Sequence, residues 1–220
     1  MNMAGNNNSP RSATQANYDR LSRWYDLLAG SAERKCKQKG LELLDARPGE
    51  TILEIGFGTG QCLQAIAQSV GDRGKVYGID LSAGMLQVAQ NRLHRAGLLH
   101  RVELRRGNAL QLPFPEALFD ALYLSFTLEL FSIREISSVL SECQRVLHPG
   151  GRLCVVSMAK KESEGWMEKL YGWAHHRWPV YIDCRPIQAH IEITLAGFHL
   201  DSLVEMSLFG LPVSITLAHK

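Results

Sequence analysis

Ile52-Leu53-Glu54-Ile55-Gly56-Phe57-Gly58-Thr59-Gly60 is an apolar strand that runs straight into three glycines at alternate positions. Glycines here let the chain turn sharply out of a strand, bring backbone N–H groups against a ligand with no Cβ in the way, and open a helix. A second apolar strand closes at Asp80, about twenty residues further on, where a carboxylate can accept hydrogen bonds from both hydroxyls of a ribose. The layout is that of a nucleotide-cradling βαβ unit. Position 61 is not glycine, so the dinucleotide pattern G-x-G-x-x-G is not met, and the Lys and Ser or Thr of a phosphate-gripping ATPase loop are missing.

Outward from this loop, short β-rich runs alternate with helical ones, the pattern of parallel βαβ units. Strands are expected at 51–55, 75–79, 101–105, 120–125 and 151–157, with helices at 61–70, 83–96 and 133–147 between them. The last of these helices stops at His148-Pro149-Gly150-Gly151, because Pro149 cannot continue it and the glycines reverse the chain. Further helices are expected at 162–178 and 187–196, then strands at 199–207 and 212–218. Leu208-Phe209-Gly210-Leu211-Pro212 is too short for a parallel crossover, so the final pair must be an antiparallel hairpin.

Upstream, residues 1–15 are polar, rich in Asn and offer almost nothing to bury, and are read as a disordered tail. Tyr18, Leu21, Trp24, Tyr25 and Leu28 then recur at helical spacing, and a second helix runs from about Ala32 to Asp45. Residues 16–220 are expected to form a single α/β domain, with a helical cover inserted at about 160–190.

Across 220 residues the chain carries 45% apolar and 21% charged residues and a net charge of only +2. Without a stripe of Lys and Arg there is no footing for nucleic acid, and the cluster Arg101, Arg105 and Arg106 reads as a solvated strand edge. The five cysteines are odd in number, scattered and without a C-x-x-C pair, which argues for a reducing compartment and against a metal site. Cys143 and Cys154 fall at core positions. No apolar run approaches the ~18 residues needed to span a bilayer, and the N-terminus lacks a secretion signal, so a cytoplasmic protein with at most peripheral membrane contact is expected. The sequence leaves the oligomeric state open.

Four stretches occur in a telling order: Leu53 to Gly60, Gly78 to Met85 around Asp80, Gly107 to Phe114, and Arg145 to Arg152. Together they resemble the successive motifs of class I S-adenosylmethionine-dependent methyltransferases, over about residues 17–219, and are most similar to the branch of the ubiquinone and menaquinone biosynthesis methyltransferases. The resemblance implies a Rossmann-like fold, with a seven-stranded, mostly parallel sheet, an antiparallel terminal hairpin and helices on both faces. It implies S-adenosyl-L-methionine as cofactor and S-adenosyl-L-homocysteine as product.

Residue by residue, the resemblance places Gly56, Phe57, Gly58 and Gly60 along the methionine and ribose part of the cofactor. Gln61 would face the methionine moiety. Glu54 would orient the loop or reach the cofactor's amino group, or merely satisfy loop amides. Asp80 would hold the ribose diol, with Leu81 and Met85 flanking the adenine, although Met85 has ordinary helix core as its alternative. Asn108 stands where the family often has Asp; its carbonyl oxygen can still accept from the adenine amino group while the Ala109 N–H donates to a ring nitrogen. Ser125 and Phe126 would lie where the reactive methyl is expected.

For the acceptor, two aromatic segments stand out: Tyr18, Trp24 and Tyr25, and the run Trp166 to Pro179, which holds three of the four tryptophans. Both would lie above the strand C-termini, where ligands bind in open parallel sheets. They form an apolar acceptor cover containing Tyr18, Tyr25 and Trp173, or simply pack their helices on the domain. His175 and His176 are neighbours and point to different sides of a helix, so at most one faces the pocket; either could act as base for a hydroxyl acceptor. Asp183-Cys184-Arg185-Pro186 could close the substrate site through Asp183 and Arg185, or cap the following helix. Expected acceptors are small or lipophilic, a quinol ring carbon or phenolic oxygen before an amine or phospholipid head group. A non-catalytic cofactor-binding protein and an NAD oxidoreductase are the readings from other classes.

Overall fold

A computed structural model describes residues 32–160, 186–208 and 210–220. The helix expected at Tyr18 to Leu28 and the aromatic helix at 162–178 lie outside the described residues. In chain order the elements are α1 (Ala32–Leu44), β1 (Thr51–Ile55), α2 (Gln61–Val70), β2 (Lys75–Asp80), α3 (Ala83–Arg95), β3 (Val102–Arg106), β4 (Phe119–Ser125), a 3-10 turn (Leu128–Leu130), α4 (Ile133–Val146), β5 (Leu147–Met158), α5 (Ala189–Leu195), β6 (His199–Leu208) and β7 (Leu211–His219).

The sheet runs β3-β2-β1-β4-β5-β7-β6. Its first five strands are parallel, and β7 pairs antiparallel with both β5 and β6. This is the expected seven-stranded sheet with its terminal hairpin. The strand order reverses between β1 and β4, so the loops leaving these two strands diverge to opposite faces and leave a crevice at their C-terminal ends.

Strand alternation sorts the core into two layers. Ile52, Val76, Ala121, Tyr123, Cys154 and Val156 face α1, α2 and α3 on one side. Leu53, Ile55, Leu122, Leu124, Leu153 and Val155 face α4 and α5 on the other. Helix α1 is fixed to the sheet by the Tyr123 hydroxyl, which donates to the Lys37 carbonyl at 2.9 Å. Gly40 faces Val156 and Tyr123 closely enough that any Cβ would collide with both. Cys36, Cys62, Cys143 and Cys154 are all buried thiols, as the core reading of the last two expected.

One boundary differs from expectation by more than two residues. β5 begins at Leu147 rather than at Gly151, because Leu147 pairs with Phe119 across a register shift in β4. The turn residues that follow are held by the chain's other end: Gly150 N–H donates to Lys220 O, and Lys220 N–H to Gly151 O. The arginines around β3, an edge strand, are engaged rather than free: Arg101 bonds Asp72, Arg105 bonds Glu103 and lies over the Phe114 ring, and Arg106 donates to Leu81 O.

Arg145 secures the loop between β3 and β4. Its guanidinium donates to the carbonyls of Phe114 and Leu112 at 2.8 and 3.0 Å and grips Glu142 at 2.7 Å, while Glu142 also accepts the Leu112 N–H. The Arg145 partner holds the Glu142 carboxyl below the usual carboxylate range. A depressed folded pKa stabilises above the unfolded value and ceases to do so as pH falls through the folded one. Arg145→Ala should therefore destabilise by about 1–3 kcal/mol at neutral pH, with a penalty that shrinks below about pH 4.5. Urea unfolding at pH 7 and pH 3.5 checks this; equal penalties at the two values would contradict it.

Candidate active site

The glycine loop emerges from β1 at the point where the strand order reverses. Gly56, Gly58 and Gly60 all hold positive φ, at 73°, 51° and 78°. Their surroundings differ. A Cβ on Gly56 would overlap the Thr127 side chain, and one on Gly60 would press on Ala89 of α3 at 2.9 Å. A Cβ on Gly58 would meet none of the described residues within 4 Å. Gly56 and Gly60 thus serve close packing, whereas Gly58 fronts open space and is the position at which a ligand can approach bare backbone. Phe57 is buried over Gly78, whose missing side chain makes room for its ring.

Asp80 ties the loop to the next helix. Its Oδ2 accepts the Gly58 N–H at 2.8 Å and its Oδ1 accepts the Ser82 N–H at 2.9 Å. Ser82 in turn caps α3 by accepting the Met85 N–H. A carboxylate oxygen can accept more than one hydrogen bond, so an oxygen that holds a backbone N–H can also accept a hydroxyl.

Glu54 points from β1 into the layer beneath α1 and α2 and is 1% exposed. The Leu63 N–H faces its carboxyl, yet Oε2 has no hydrogen-bond partner among the described residues. Burial pushes this carboxyl well above the usual range, opposed by Lys37 and reinforced by Asp80. Burial works against the Lys37 ammonium too, but Glu33, bonded to it at 2.8 Å, leaves its pKa raised. A buried carboxyl oxygen without a partner costs roughly 1–3 kcal/mol or more. It is the kind of group that a cationic or N–H donor ligand would satisfy.

The remaining candidates are distributed around this centre. Leu81 is 40% exposed beside Asp80, an apolar surface available to a flat ring. Met85 packs in the core with Ala89 and Leu93, so of its two open roles the structure displays the core one. Asn108 spends one lone pair of Oδ1 on the Leu110 N–H at 3.1 Å, an Asx turn that fixes the loop in which Ala109 is buried. Gln61 lines a cleft between α1 and α2 with Arg34, Lys37, Gln38 and Arg92.

At the end of β4, Ser125 and Phe126 are nearly buried. Phe126 holds φ at 51°, a left-handed conformation costly for a bulky residue, and its N–H is fixed to Val156 O at 2.8 Å. Lys37 Nζ lies 5.7 Å over its ring. Thr127 donates to Ser125 O and seats against Gly56. Two residues later Glu129, 2% exposed, accepts the Met158 N–H at 3.0 Å on Oε1, while its Oε2 has no partner among the described residues. Sequence reasoning missed Glu129 and Lys37. A single carboxylate inside Phe126-Thr127-Leu128-Glu129-Leu130-Phe131 was the available signal for the first.

Tyr18, Tyr25, Trp173, His175, His176, Asp183 and Arg185 lie outside the described residues. The ends of the second segment are placed: Ala159 bridges Ile187, with Ile187 N–H donating to Met158 O and Lys160 N–H to Ile187 O.

Comparison with known proteins agrees with this geometry. A family model described as a methyltransferase domain matches residues 52–151. The chain is 34% identical over 164 residues to a ubiquinone/menaquinone biosynthesis C-methyltransferase of Vibrio parahaemolyticus, covering 74% of this chain and 61% of that one. It is 30% identical over 164 residues to a demethylmenaquinone methyltransferase of Listeria welshimeri, covering 74% and 67%. The chain thus spans about three fifths of the Vibrio relative's length. Among solved structures, a (4+2)-cyclase superposes with a TM-score of 0.76 at 21% identity over 94% of both chains, which is a likeness of fold.

Proposed function

The chain belongs to the class I S-adenosylmethionine-dependent methyltransferases, and on that premise we propose that it methylates a small or lipophilic acceptor, a quinol-type ring carbon or a phenolic oxygen. The observation that carries this reading is the conjunction at one crevice of open space before Gly58, the doubly bonded Asp80, and a bare buried oxygen on Glu54. The similarity to quinone-pathway relatives supports the acceptor class.

When bound, S-adenosylmethionine supplies an electrophilic methyl on a sulfonium, ready for in-line displacement. In this reading Asp80 accepts hydrogen bonds from the ribose hydroxyls while continuing to hold Gly58 and Ser82. Glu54 offers Oε2 to the cofactor's amino group, beside the Leu63 N–H that already fixes its carboxyl. Leu81 covers one face of the adenine. Asn108 has one Oδ1 lone pair left for its amino group, and the Ala109 N–H is the donor for its ring nitrogen. Gln61, at the first turn of α2, faces the methionine end. Ser125 and the strained Phe126 define where the acceptor meets the methyl, and positioning of this kind is worth ~7 kcal/mol or more of barrier.

The test is calorimetry with S-adenosylhomocysteine against NADH, followed by a screen of quinols, phenols, amines and lipids with mass detection of a methyl gain. Binding without any product would favour a non-catalytic cofactor-binding protein, and gain on amines alone would favour the head-group reading. We also carry forward the aromatic cover, with Tyr18, Tyr25, Trp173, Asp183 and Arg185 toward the acceptor, and a reducing, cytoplasmic setting with at most peripheral membrane contact. Trp173→Ala should raise the acceptor KM, lower kcat, or both, by about tenfold, while S-adenosylhomocysteine affinity stays within a factor of about two. Wild-type turnover in this variant would reduce the segment to packing. His175 and His176 are rivals to the carboxylate treated next, and His175→Ala and His176→Ala separate them.

A further inference from the structure

Glu129 occupies the place in this crevice that is hardest to explain by folding alone. It follows β4 by four residues, next to Thr127, which touches Gly56 of the cofactor loop. The last residue of β5, Met158, holds one of its oxygens through the backbone N–H, which fixes the carboxyl plane. The other oxygen is buried with no hydrogen-bond partner among the described residues. A glutamine would serve the Met158 bond equally well, and an apolar residue would suit the surrounding run of Phe126, Leu128, Leu130 and Phe131 better. A carboxyl that is rigidly mounted at one oxygen and bare at the other is built to meet a group that none of the described residues supplies.

We propose that Oε2 of Glu129 accepts the proton of a hydroxyl-bearing ring acceptor as the methyl is transferred. This rests on the methyltransferase reading above. In the step, the acceptor's O–H bond breaks and its proton goes to Oε2. The freed electron pair, on oxygen or delivered through the ring to carbon, forms the bond to the methyl carbon, and the pair of the breaking S–C bond stays on sulfur. In the carbon case the ring C–H proton returns to the oxygen and restores the aromatic ring. Glu129 then releases its proton to water, so one proton leaves for each methyl transferred.

The surroundings suit the task. Burial pushes the Glu129 carboxyl up to about 7, eased by the Met158 N–H and reinforced by Glu33 on α1. Glu33 is itself bonded to Lys37, and from β5 the contact is the Met158 backbone N–H. A base poised near neutral pH is both available in its ionised form and able to hold a proton. Because the folded value is raised above the unfolded one, ionising Glu129 costs the folded state stability, a cost that grows from about pH 4.5 and is complete above about pH 7.

The decisive variant is Glu129→Gln, which keeps an acceptor for Met158 and removes the base. Calorimetry with S-adenosylhomocysteine on wild type comes first; if wild type does not bind it, the methyltransferase reading fails, independently of Glu129. In the presence of S-adenosylhomocysteine, catechol, which stays un-ionised across this pH range, is then titrated by calorimetry as a hydroxyl probe. Wild type should bind it more tightly as pH rises through about 7. Glu129→Gln should bind it at least tenfold more weakly, with no pH dependence in that range, and should retain S-adenosylhomocysteine affinity. With S-adenosylmethionine and the acceptor found in the screen, methyl gain should fall at least a hundredfold. Glu129→Gln should also melt higher than wild type at pH 8 and not at pH 4.5, since it removes a buried charge. Glu129→Asp, which keeps the charge but withdraws it by a methylene, should retain the pH dependence at reduced rate, and it replaces Glu129→Gln if that variant does not fold. Probe binding by Glu129→Gln equal to wild type with the same pH profile, or no probe binding by wild type that binds S-adenosylhomocysteine, would overturn the proposal.

Discussion

Asp80→Asn weakens S-adenosylhomocysteine binding by a factor of about 30 to 1,000, the equivalent of ~2–4 kcal/mol for losing charge-assisted bonds. The size follows from what an amide can and cannot do here. The Asp80 carboxylate already accepts two backbone N–H groups, from Gly58 and Ser82, one on each oxygen. An asparagine has one carbonyl oxygen, so its NH2 group must face one of those N–H donors, and the loop or the start of α3 shifts. The remaining oxygen cannot serve two ribose hydroxyls as well. Stability should fall by only about 1 kcal/mol, one ordinary hydrogen bond, so the variant stays folded. Calorimetry alongside a melting curve measures both, and unchanged affinity in a folded variant would remove Asp80 from the site.

Gly58→Val should eliminate measurable cofactor binding, a loss of more than a hundredfold, while the protein still folds. None of the described residues lies within 4 Å of the new Cβ, so the cost in the free protein is that of a β-branched residue at φ 51°, of order 1–3 kcal/mol. The side chain would stand in the space from which the ligand approaches. Gly56→Ala makes the informative contrast. There the new Cβ overlaps Thr127 at φ 73°, so the damage should appear first as instability of several kcal/mol. Two glycines one residue apart are thus expected to fail in opposite ways, one through the ligand and one through the fold. Normal S-adenosylhomocysteine affinity in Gly58→Val would move the site elsewhere.

The sheet was legible in the sequence because its signals are local and redundant. Apolar runs of strand length, helical spacing between them and the short link from Leu208 to Pro212 leave few topologies, and the order of four motifs narrowed these further. The start of β5 was not legible. Pro149 and two glycines mark a turn, but whether Leu147 still pairs with β4 depends on a register shift opposite Phe119 that no local pattern announces. At the site, Asp80 could be found because a carboxylate at a strand tip beside a glycine loop has few structural tasks. Glu129 could not, because its significance lies in burial and in a missing partner, and both are properties of packing. The division of labour among the three glycines was hidden for the same reason: the sequence shows a repeated residue, whereas Thr127, Ala89 and open space distinguish the positions.

The bridge between Ala159 and Ile187 has a consequence for how such a protein can diversify. Because the chain leaves the sheet after Lys160 and rejoins it at Ile187 through direct backbone bonds, residues 161–185 form a closed excursion whose ends are already tied. For a flexible excursion, doubling the length adds only about 0.6 kcal/mol of closure entropy, so its length and composition can drift, or be exchanged wholesale, with the sheet and the cofactor loop left nearly indifferent. On the proposed reading, a tie of this kind would separate two selective pressures along one chain, with the scaffold answering to the nucleoside and the excursion to the acceptor. Grafting the corresponding stretch from another member of the family between Lys160 and Ile187 is the economical route to a new acceptor.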